Sequence, residues 1–236
     1  VFAFSAHSSE AVVGIDSIQV VPEGIHPLDA IFMPSVETAL SIVHDAHIRY
    51  GEDVAIFGQG LIGLLVASLL GLQGVGADLK IGSLSTFDFL PNRLAMSARM
   101  GASQALFPDS ASSVGPLDVA IEVSGNGKAL QSAIDNTRDG GRIIVGSWYG
   151  NRAIDLHLGI DFHRSHKTIR TSQVSELPAE MLACWTKKRR FSLVWDLVRH
   201  IEPRRLITKE FHLGSAQDAY ECLENGREIA VAFKYR

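Results

Sequence analysis

Short apolar runs alternate with helical stretches through the middle of this chain. The runs are VAIFG, KIGSLSTFD, LDVAIEVSG and RIIVGSWYG, and KTIRTS follows as a further candidate strand. The stretches between them, LLVASLLGLQ, PNRLAMSARMG and GKALQSAIDNTRDGG, have helical character, with Pro91 suited to a first turn and Gly101 to a helix end. Continuous apolar strands that alternate with helices indicate a parallel sheet covered on both faces. We therefore predict an α/β, doubly wound parallel sheet over residues 35–172.

The flanking segments have a different pattern. VFAFSAH and residues 11–21 are rich in β-forming residues, and SVETALSIVHDAHI has helical spacing up to Gly51. Beyond 172, the stretch from 178 to 201 is predicted to be helical. Its candidate core residues are Met181, Leu182, Trp185, Leu193, Val194, Leu197 and Val198. LITKEFHL and IAVAFKY read as strands around a short helix that begins in a capping box of Ser215 and Asp218 and stops at Gly226.

Composition excludes several classes of function. The net charge is −4, so no basic surface predicts a nucleic-acid partner, and the basic run 187–190 is interpreted as a solvated helix end. The longest apolar run, 61–72, is too short for a membrane span, and we find no signal peptide. Cys184 and Cys222 make no disulfide framework and are interpreted as buried small residues in a reducing compartment, so a cytoplasmic location is expected.

A glycine-rich loop joins the first apolar strand to its helix. Gly58-Gln59-Gly60-Leu61-Ile62-Gly63 has the G-x-G-x-x-G spacing, with a strand before it and a helix after it. Gly58 permits a tight turn, Gly60 lets the backbone approach a pyrophosphate, and Gly63 lets helix and strand pack closely. The helix N-terminus, at Leu61 and Ile62, offers N–H groups and partial positive charge to phosphates. This context predicts a dinucleotide site.

Such a loop needs an acidic residue that binds the ribose hydroxyls. Asp78 lies at about the usual distance but follows a poor strand, whereas Asp88 ends a convincing one. We therefore assign the role to Asp88, which implies an insertion around 74–80. A carboxylate there repels a 2′-phosphate and favours NAD over NADP, a preference that Arg93 partly offsets.

The chain as a whole resembles the medium-chain dehydrogenase/reductases, the zinc-type alcohol dehydrogenase superfamily. The resemblance is carried by VVPEGIHPLDAIFMPSVETAL, GEDVAIFGQGLIG, FDFLPNRLAMSARMGAS, LDVAIEVSGNGKAL, DGGRIIVGSWYG and GIDFHRSHKTIRTSQVS, in that order. It implies a Rossmann domain over 35–172. It also implies that 1–34 is the trailing part of a GroES-like substrate domain, to which 173–236 returns.

By the same resemblance, Val123-Ser124 and Gly146-Ser147 would lie along the cofactor and Thr38 near its nicotinamide end. The family's first catalytic zinc ligands and its structural zinc lobe would lie upstream of Val1, so we expect further sequence there. Whether Trp148 or Tyr149 faces the cleft is left open.

Metal ligands are not identifiable within the chain. Near the family's zinc-bearing segment stand Met33 and Pro34, which are not ligands, and Glu37, which is displaced along the predicted helix. Two histidine pairs have the spacing of one helical turn, His44 with His47 on a predicted helix and His163 with His166 if that stretch is helical, but neither has a third ligand. We assign no metal ligand.

The resemblance implies an NAD(P)-dependent oxidoreductase that moves hydride between nicotinamide and a small alcohol or carbonyl substrate. Its catalytic residues cannot be named from this chain, and a homodimer is left open. One alternative is a non-catalytic nucleotide-binding or truncated protein. Another is a methyltransferase, against which GGRIIVGSWYG and the flanking segments argue.

Overall fold

The computed structural model describes residues 1–72, 81–226 and 228–235. Two compact units divide the chain. One comprises residues 1–36 and 187–236, and the other comprises residues 37–186. The candidate acid Asp78 and the expected insertion at 74–80 lie outside the described residues.

Ten strands and eight helices, with short 3-10 turns between some of them, make up the described chain. The strands are β1 (Phe2–Ala3), β2 (Ile18–Gln19), β3 (Asp53–Phe57), β4 (Ser83–Phe87), β5 (Gln104–Leu106), β6 (Leu117–Glu122), β7 (Thr137–Val145), β8 (Thr168–Thr171), β9 (Ile207–His212) and β10 (Ala230–Lys234). The helices are α1 (Pro27–Ala30), α2 (Met33–Ala46), α3 (Leu61–Leu72), α4 (Pro91–Arg99), α5 (Gly127–Asn136), α6 (Ile160–Arg164), α7 (Lys187–Ile201) and α8 (Ala216–Glu224). None of the described helices is both long enough and apolar enough to cross a lipid bilayer.

The central unit is built on a six-stranded sheet in the order β5-β4-β3-β6-β7-β8, with every neighbouring pair parallel. Taken in chain order, the strands run 3-2-1-4-5-6, which is the Rossmann order. The predicted doubly wound sheet is therefore confirmed. The strand order reverses between β3 and β6, so the carboxyl ends of these two strands flank the topological switch point where such sheets bind ligands.

Strand β3 is buried on both of its faces, because helices cover the sheet from both sides. Val54, Ala55, Ile56 and Phe57 have at most 2% of their surface exposed. One core cluster on this sheet joins Ala55, Phe57, Phe87, Ala111, Leu117, Ala120, Leu130, Ala133, Ile134, Ile143 and Val145. An apolar run without alternation, such as VAIF, is what a strand covered on both faces requires.

The other unit is described separately. It holds β1 paired antiparallel with β2, and β9 paired parallel with β10, with α8 lying between these two strands in the sequence. An ion pair joins the buried Asp29 carboxylate to the partly exposed Arg204 guanidinium, and the same carboxylate accepts the Arg204 backbone N–H at 2.8 Å. Burial of Asp29 is tolerated because its charge is paired and hydrogen-bonded.

Several local predictions are wrong. Strand β5 was not predicted, because three residues between turn signals leave no apolar period to detect. Helix α7 begins at Lys187 and not near 178, so Leu182 is 63% exposed, while Met181 and Trp185 are only partly buried. Its later positions agree better, since Val194 and Val198 are buried.

Smaller differences concern ends and burial. Within residues 11–21 only the two residues of β2 form a strand, and a 3-10 turn precedes them at Ile15–Ser17. Ser215 stands at the N-cap of α8 without a side-chain capping hydrogen bond. Cys184 is exposed and Cys222 partly buried, and neither forms a disulfide among the described residues, so their predicted burial is wrong. The basic run lies at the start of α7, and its last residue, Arg190, is buried.

The carboxyl end of helix α2 is capped by an arginine from strand β7. The Arg142 guanidinium donates to the carbonyls of Ala46 and His47 at 2.7 and 2.8 Å, and it forms a two-pronged ion pair with Glu52. Burial acts to raise the pKa of the Glu52 carboxyl, but the hydrogen bonds from Arg142 and the Arg49 N–H bring that pKa below its ordinary value. A cation at a helix carboxyl end also complements the helix dipole.

Replacing Arg142 tests this cap. We expect Arg142→Met to lower the free energy of unfolding by about 2–4 kcal/mol, because it removes the guanidinium donors of the Ala46 and His47 carbonyls and leaves the Glu52 carboxylate without its charged partner. Urea denaturation at pH 7 measures the loss. The control is Arg99→Met, at an exposed position in the last turn of α4, for which we expect a loss of less than about 1 kcal/mol. Equal losses in the two variants would contradict a capping role for Arg142.

Candidate functional site

A cavity of about 610 Å³ opens at the carboxyl ends of four adjacent strands of the central sheet, β5, β4, β3 and β6. Its lining residues are Phe57, Gly58, Gly60, Phe87, Asp88, Phe89, Leu90, Arg93, Pro108, Asp109, Val123, Ser124, Asn126, Lys128, Ala129 and Ser132. This is the edge at which open α/β sheets bind their ligands, and the volume is that of a small-molecule site.

Gly58 and Gly63 both occupy crowded points of the glycine loop. The φ of +102° at Gly58 suits glycine, and a Cβ built on this residue would lie 2.7 Å from the backbone N and Cα of Ser124. A Cβ on Gly63 would lie 2.0 Å from the Gly58 carbonyl oxygen. The end of β3, the first turn of α3 and the loop after β6 therefore meet at a contact that excludes side chains at both glycines.

Gly60 lies in an open environment instead. A Cβ built there has no atom within 4 Å, and the residue lines the cavity. The first turn of α3 begins at Leu61, and N–H groups in a first helical turn have no acceptor within their own helix. Backbone donors and the positive end of the helix dipole thus face a space that a phosphate could approach closely.

Asp88 follows strand β4 and joins the glycine loop to the next turn. One carboxylate oxygen accepts the N–H of Gln59 at 2.7 Å, and the other accepts the N–H of Leu90 at 2.9 Å. The residue is 9% exposed and lines the cavity. Each oxygen retains a further acceptor direction, so the carboxylate can also receive hydroxyl donors from a ligand.

Arg93, on helix α4, provides a positive charge beside this carboxylate. Its guanidinium lies 3.8 Å from Asp88, within ion-pair range but beyond hydrogen-bond distance, and it also lines the cavity. Lys128 adds a second cationic residue to the lining. The cavity wall therefore carries charges of both signs.

The far wall is formed where β6 passes into α5. Glu122, the last residue of β6, is wholly buried. Its Oε1 accepts the N–H and O–H of Ser124 at 2.6 and 2.7 Å and the N–H of Gly125 at 3.1 Å. Its Oε2 accepts the phenol of Tyr149 at 2.5 Å. Four donors compensate the burial of this carboxyl group.

The segment after β7 approaches the same loop. The Ser147 hydroxyl oxygen accepts the Gly125 N–H at 2.8 Å, while Trp148 is 91% exposed and Tyr149 packs against the core. Burial, together with the hydrogen bond to Glu122, raises the pKa of Tyr149 far above its ordinary value. The phenol therefore stays protonated and acts as a donor.

The structure brings about half of the residues predicted from the sequence to the cavity. Gly58, Gly60, Asp88, Arg93, Val123 and Ser124 line it. Among the described residues that do not line it are Thr38, Leu61, Ile62, Gly63, Gly146 and Ser147. Gly146 instead packs closely: a Cβ there would lie 2.8 Å from the Ile42 side chain.

Sequence reasoning missed Asp109, Asn126 and Lys128, which also line the cavity. Asn126 carried a detectable signal, because it stands at the N-cap of α5 and its side chain accepts the Lys128 N–H at 2.9 Å. Asp109 follows β5, the strand that was not predicted, so no sequence pattern indicated it.

His44 and His47, the first of the two histidine pairs, have other contacts. The His44 ring lies 4.8 Å from the Trp185 ring, and His47 lies 3.1 Å from the Arg170 guanidinium. Within residues 1–72, 81–226 and 228–235, no group of three or more His, Cys, Asp or Glu side chains is placed to hold a metal ion.

Sequence comparison shows that this chain is similar to dehydrogenases. No protein-family model matches the chain. D-guloside 3-dehydrogenase of Escherichia coli K12 is 29% identical over 187 residues, covering 75% of this chain and 52% of that protein. L-threonine 3-dehydrogenase of Anaeromyxobacter sp. Fw109-5 is 30% identical over 239 residues, covering 95% and 63%. The chain thus spans about half to three fifths of the length of these curated relatives.

A solved structure shows the same fold. It is a protein of Escherichia coli CFT073 described as a short chain alcohol dehydrogenase, complexed with NADH. The TM-score is 0.76 at 18% identity, over 95% of this chain and 64% of that one.

The raised pKa of Tyr149 predicts a stability change at alkaline pH. An unfolded tyrosine releases its proton near pH ~10, while the folded chain keeps it, so the stabilisation is present below that pH and is lost as pH rises further. We expect unfolding free energy, measured in urea between pH 9 and 11, to fall more steeply in the wild type than in Tyr149→Phe. Tyr220→Phe, at a 53% exposed position, should retain the wild-type slope. Identical slopes in all three proteins would contradict this account.

Proposed function

We propose that the chain belongs to the medium-chain dehydrogenase/reductase superfamily and is part of an NAD(P)-dependent oxidoreductase. In this proposal the unit of residues 37–186 binds the dinucleotide in the cavity at the sheet edge. The protein would act on the alcohol group of a small molecule, or on the matching carbonyl compound.

One observation carries the proposal: an open Gly60 at the start of α3 shares a cavity with the Asp88 carboxylate. A pyrophosphate fits over Gly60, where no side chain stands and where backbone donors face the space. An adenosine ribose then reaches Asp88, one strand away in the sheet. Neither feature would stabilise a bound apolar ligand. Together they suit the pyrophosphate and the ribose of a dinucleotide.

We propose NAD as the preferred cofactor. A second negative charge on the ribose would face the Asp88 carboxylate, whose two oxygens are held in place by main-chain N–H groups. Arg93 reduces this repulsion without removing it, because its guanidinium already lies beside that carboxylate. NADP is therefore a weaker ligand in this proposal.

The chemical step belongs to the cofactor, which accepts or donates a hydride at its nicotinamide ring. The residues of this chain bind and orient it: Gly60 admits the phosphates, Asp88 holds the ribose and Ser124 forms part of the wall. No group of three or more His, Cys, Asp or Glu side chains among the described residues is placed to hold a metal ion, so no role for zinc is derived from them.

We propose that residues 1–34 and 173–236 contribute to a GroES-like substrate domain. Supporting this for most of these residues, 1–36 and 187–236 fall into one compact unit, whereas 173–186 are assigned to the unit of residues 37–186. Two cysteines outside any disulfide suit a reducing compartment, and the cytoplasm remains our proposed location.

Titration of the 236-residue chain tests the proposed function. NADH fluorescence should rise on binding and saturate, with NADPH binding more weakly. S-adenosylmethionine, the ligand of the alternative methyltransferase reading, should leave the melting temperature unchanged. A raised melting temperature with S-adenosylmethionine, together with no change in NADH fluorescence, would contradict the proposal and favour a methyltransferase.

Substitution of Asp88 tests the choice of cofactor. We expect Asp88→Ser to weaken NADH binding by about 1.5–3 kcal/mol, since it removes charged hydrogen bonds to the ribose. NADPH should lose less or gain, because the repulsion disappears as well. Asp109→Ser makes the same charge change in the same cavity and should leave the NADH-to-NADPH affinity ratio unaltered. An unchanged ratio in Asp88→Ser would show that the carboxylate does not face the ribose.

Two glycines of the loop should respond in opposite ways. Gly60→Val places its side chain in open space, so we expect a wild-type melting temperature and a loss of NADH binding of about tenfold or more. Gly63→Ala forces a Cβ onto the Gly58 carbonyl, so we expect it to destabilise the fold. Thermal denaturation and NADH titration together measure both effects. Unchanged NADH affinity in Gly60→Val would mean that the loop does not hold phosphate.

A further inference from the structure

Glu122 has more hydrogen-bond donors directed at it than the fold of strand β6 requires. The strand ends at this residue, its side chain is wholly buried, and both of its oxygens accept hydrogen bonds. A buried carboxyl group is costly unless donors surround it, so an apolar residue would satisfy the core at lower cost. The position of those donors shows what the carboxyl group does.

Three of the donors belong to the loop between β6 and α5. Glu122 accepts from the N–H and O–H of Ser124 and from the N–H of Gly125. The same Ser124 hydroxyl oxygen accepts the Asn126 N–H at 3.1 Å, and Asn126 in turn caps helix α5. A continuous series of hydrogen bonds thus runs from the buried carboxyl group to the start of α5.

The loop held in this way forms part of the cavity wall. Ser124 and Asn126 line the cavity, and the backbone of Ser124 lies against Gly58 of the glycine loop. Gly58 leaves no space for Ser124 to move closer. Any loss of the bonds that hold Ser124 would therefore shift it away from Gly58, and the cavity would change shape.

The fourth donor connects the carboxyl group to a second segment. Tyr149 donates its phenol to Glu122, and Ser147 accepts the Gly125 N–H. The Arg152 guanidinium donates to the Gly125 carbonyl at 3.2 Å. The segment after β7 and the loop after β6 are thereby fastened to each other around one carboxyl group.

We propose that Glu122 is a positioning residue of the cofactor site, which holds the 123–126 loop against Gly58 before the dinucleotide binds. This inference deepens the proposed function and rests on it for the identity of the ligand. Preorganisation of a binding wall raises affinity because the loop need not be ordered when the ligand arrives. Glu122 itself does not line the cavity and acts through Ser124.

A purely structural role would give a different result, and the same strand provides the comparison. Asp118 lies at the other end of β6, where its carboxylate accepts the Asp53 N–H at 2.8 Å and pairs with Arg138 at 3.0 Å. It is largely buried and hydrogen-bonded like Glu122, but it does not line or adjoin the cavity. Asp118→Ala is therefore a matched control for loss of stability alone.

Amide hydrogen exchange of the 236-residue chain tests the positioning role without any cofactor. In Glu122→Leu we expect the amides of 124–126 to exchange at least about tenfold faster than in the wild type, while those of β3 are unchanged. Glu122→Gln should exchange more slowly than Glu122→Leu, because its carbonyl oxygen can still accept from the loop. Wild-type exchange at 124–126 in Glu122→Leu would overturn the proposal.

NADH titration tests the consequence for binding. We expect the dissociation constant to rise about tenfold in Glu122→Leu and no more than about threefold in Glu122→Gln, with Asp118→Ala within about twofold of wild type despite a lower melting temperature. An equal loss of affinity in Asp118→Ala and Glu122→Leu would overturn the proposal, since general destabilisation would then explain both.

Tyr149→Phe tests the proposal if Glu122→Leu does not fold. It removes only one of the four donors to Glu122, and it should still raise the dissociation constant for NADH and speed amide exchange at 124–126. Wild-type behaviour of Tyr149→Phe in both measurements would count against the proposal.

If the wild-type chain binds no NADH, the proposed function fails, while hydrogen exchange still decides whether Glu122 holds the loop.

Discussion

The close contact at Gly58 is the constraint on which the rest of the site depends. Three pieces of backbone meet there: the end of β3, the first turn of α3 and the loop after β6. Because Gly58 and Gly63 carry no Cβ, the helix can start close to the strand and the neighbouring loop can lie directly beside both. A Cβ at either position would clash with the backbone. The cavity exists because these three segments converge without side chains between them.

The sequence was sufficient to predict the frame of this arrangement. The unbroken apolar run before Gly58 and the helical pattern after Gly63 placed the loop between a strand and a helix, and the structure confirms both elements. Strand β5 was missed because Gln104–Leu106 is too short to show a period. The predicted start of helix α7 is too early, because the apolar residues at 181–185 have helical spacing although their segment is largely exposed.

The polar interior of the site could not be predicted from pattern alone. LDVAIEVSG reads as an apolar strand, and its glutamate gives no sign of being buried until its donors are known. One of those donors, Tyr149, lies 27 positions further along the chain. Asp88 was found for its expected effect on a ribose, but its bonds to the N–H groups of Gln59 and Leu90 appear only in three dimensions. Burial and partner choice depend on tertiary contacts that no local spacing encodes.

The contact between Gly58 and Ser124 also has a consequence for the order in which the chain folds. These residues stand in different halves of the sheet, and β3 pairs both with β4, which follows soon after it, and with β6, which comes much later. Closing the longer loop carries the greater entropic cost, and pairings distant in sequence form slowly. An intermediate that contains only β3, β4 and β5 would have three paired strands and the glycine loop, but one wall of the cavity would be absent. A ligand bound at this edge would therefore report that β6 has paired with β3. A spectroscopic signal of strand content would already be given by β3, β4 and β5 alone.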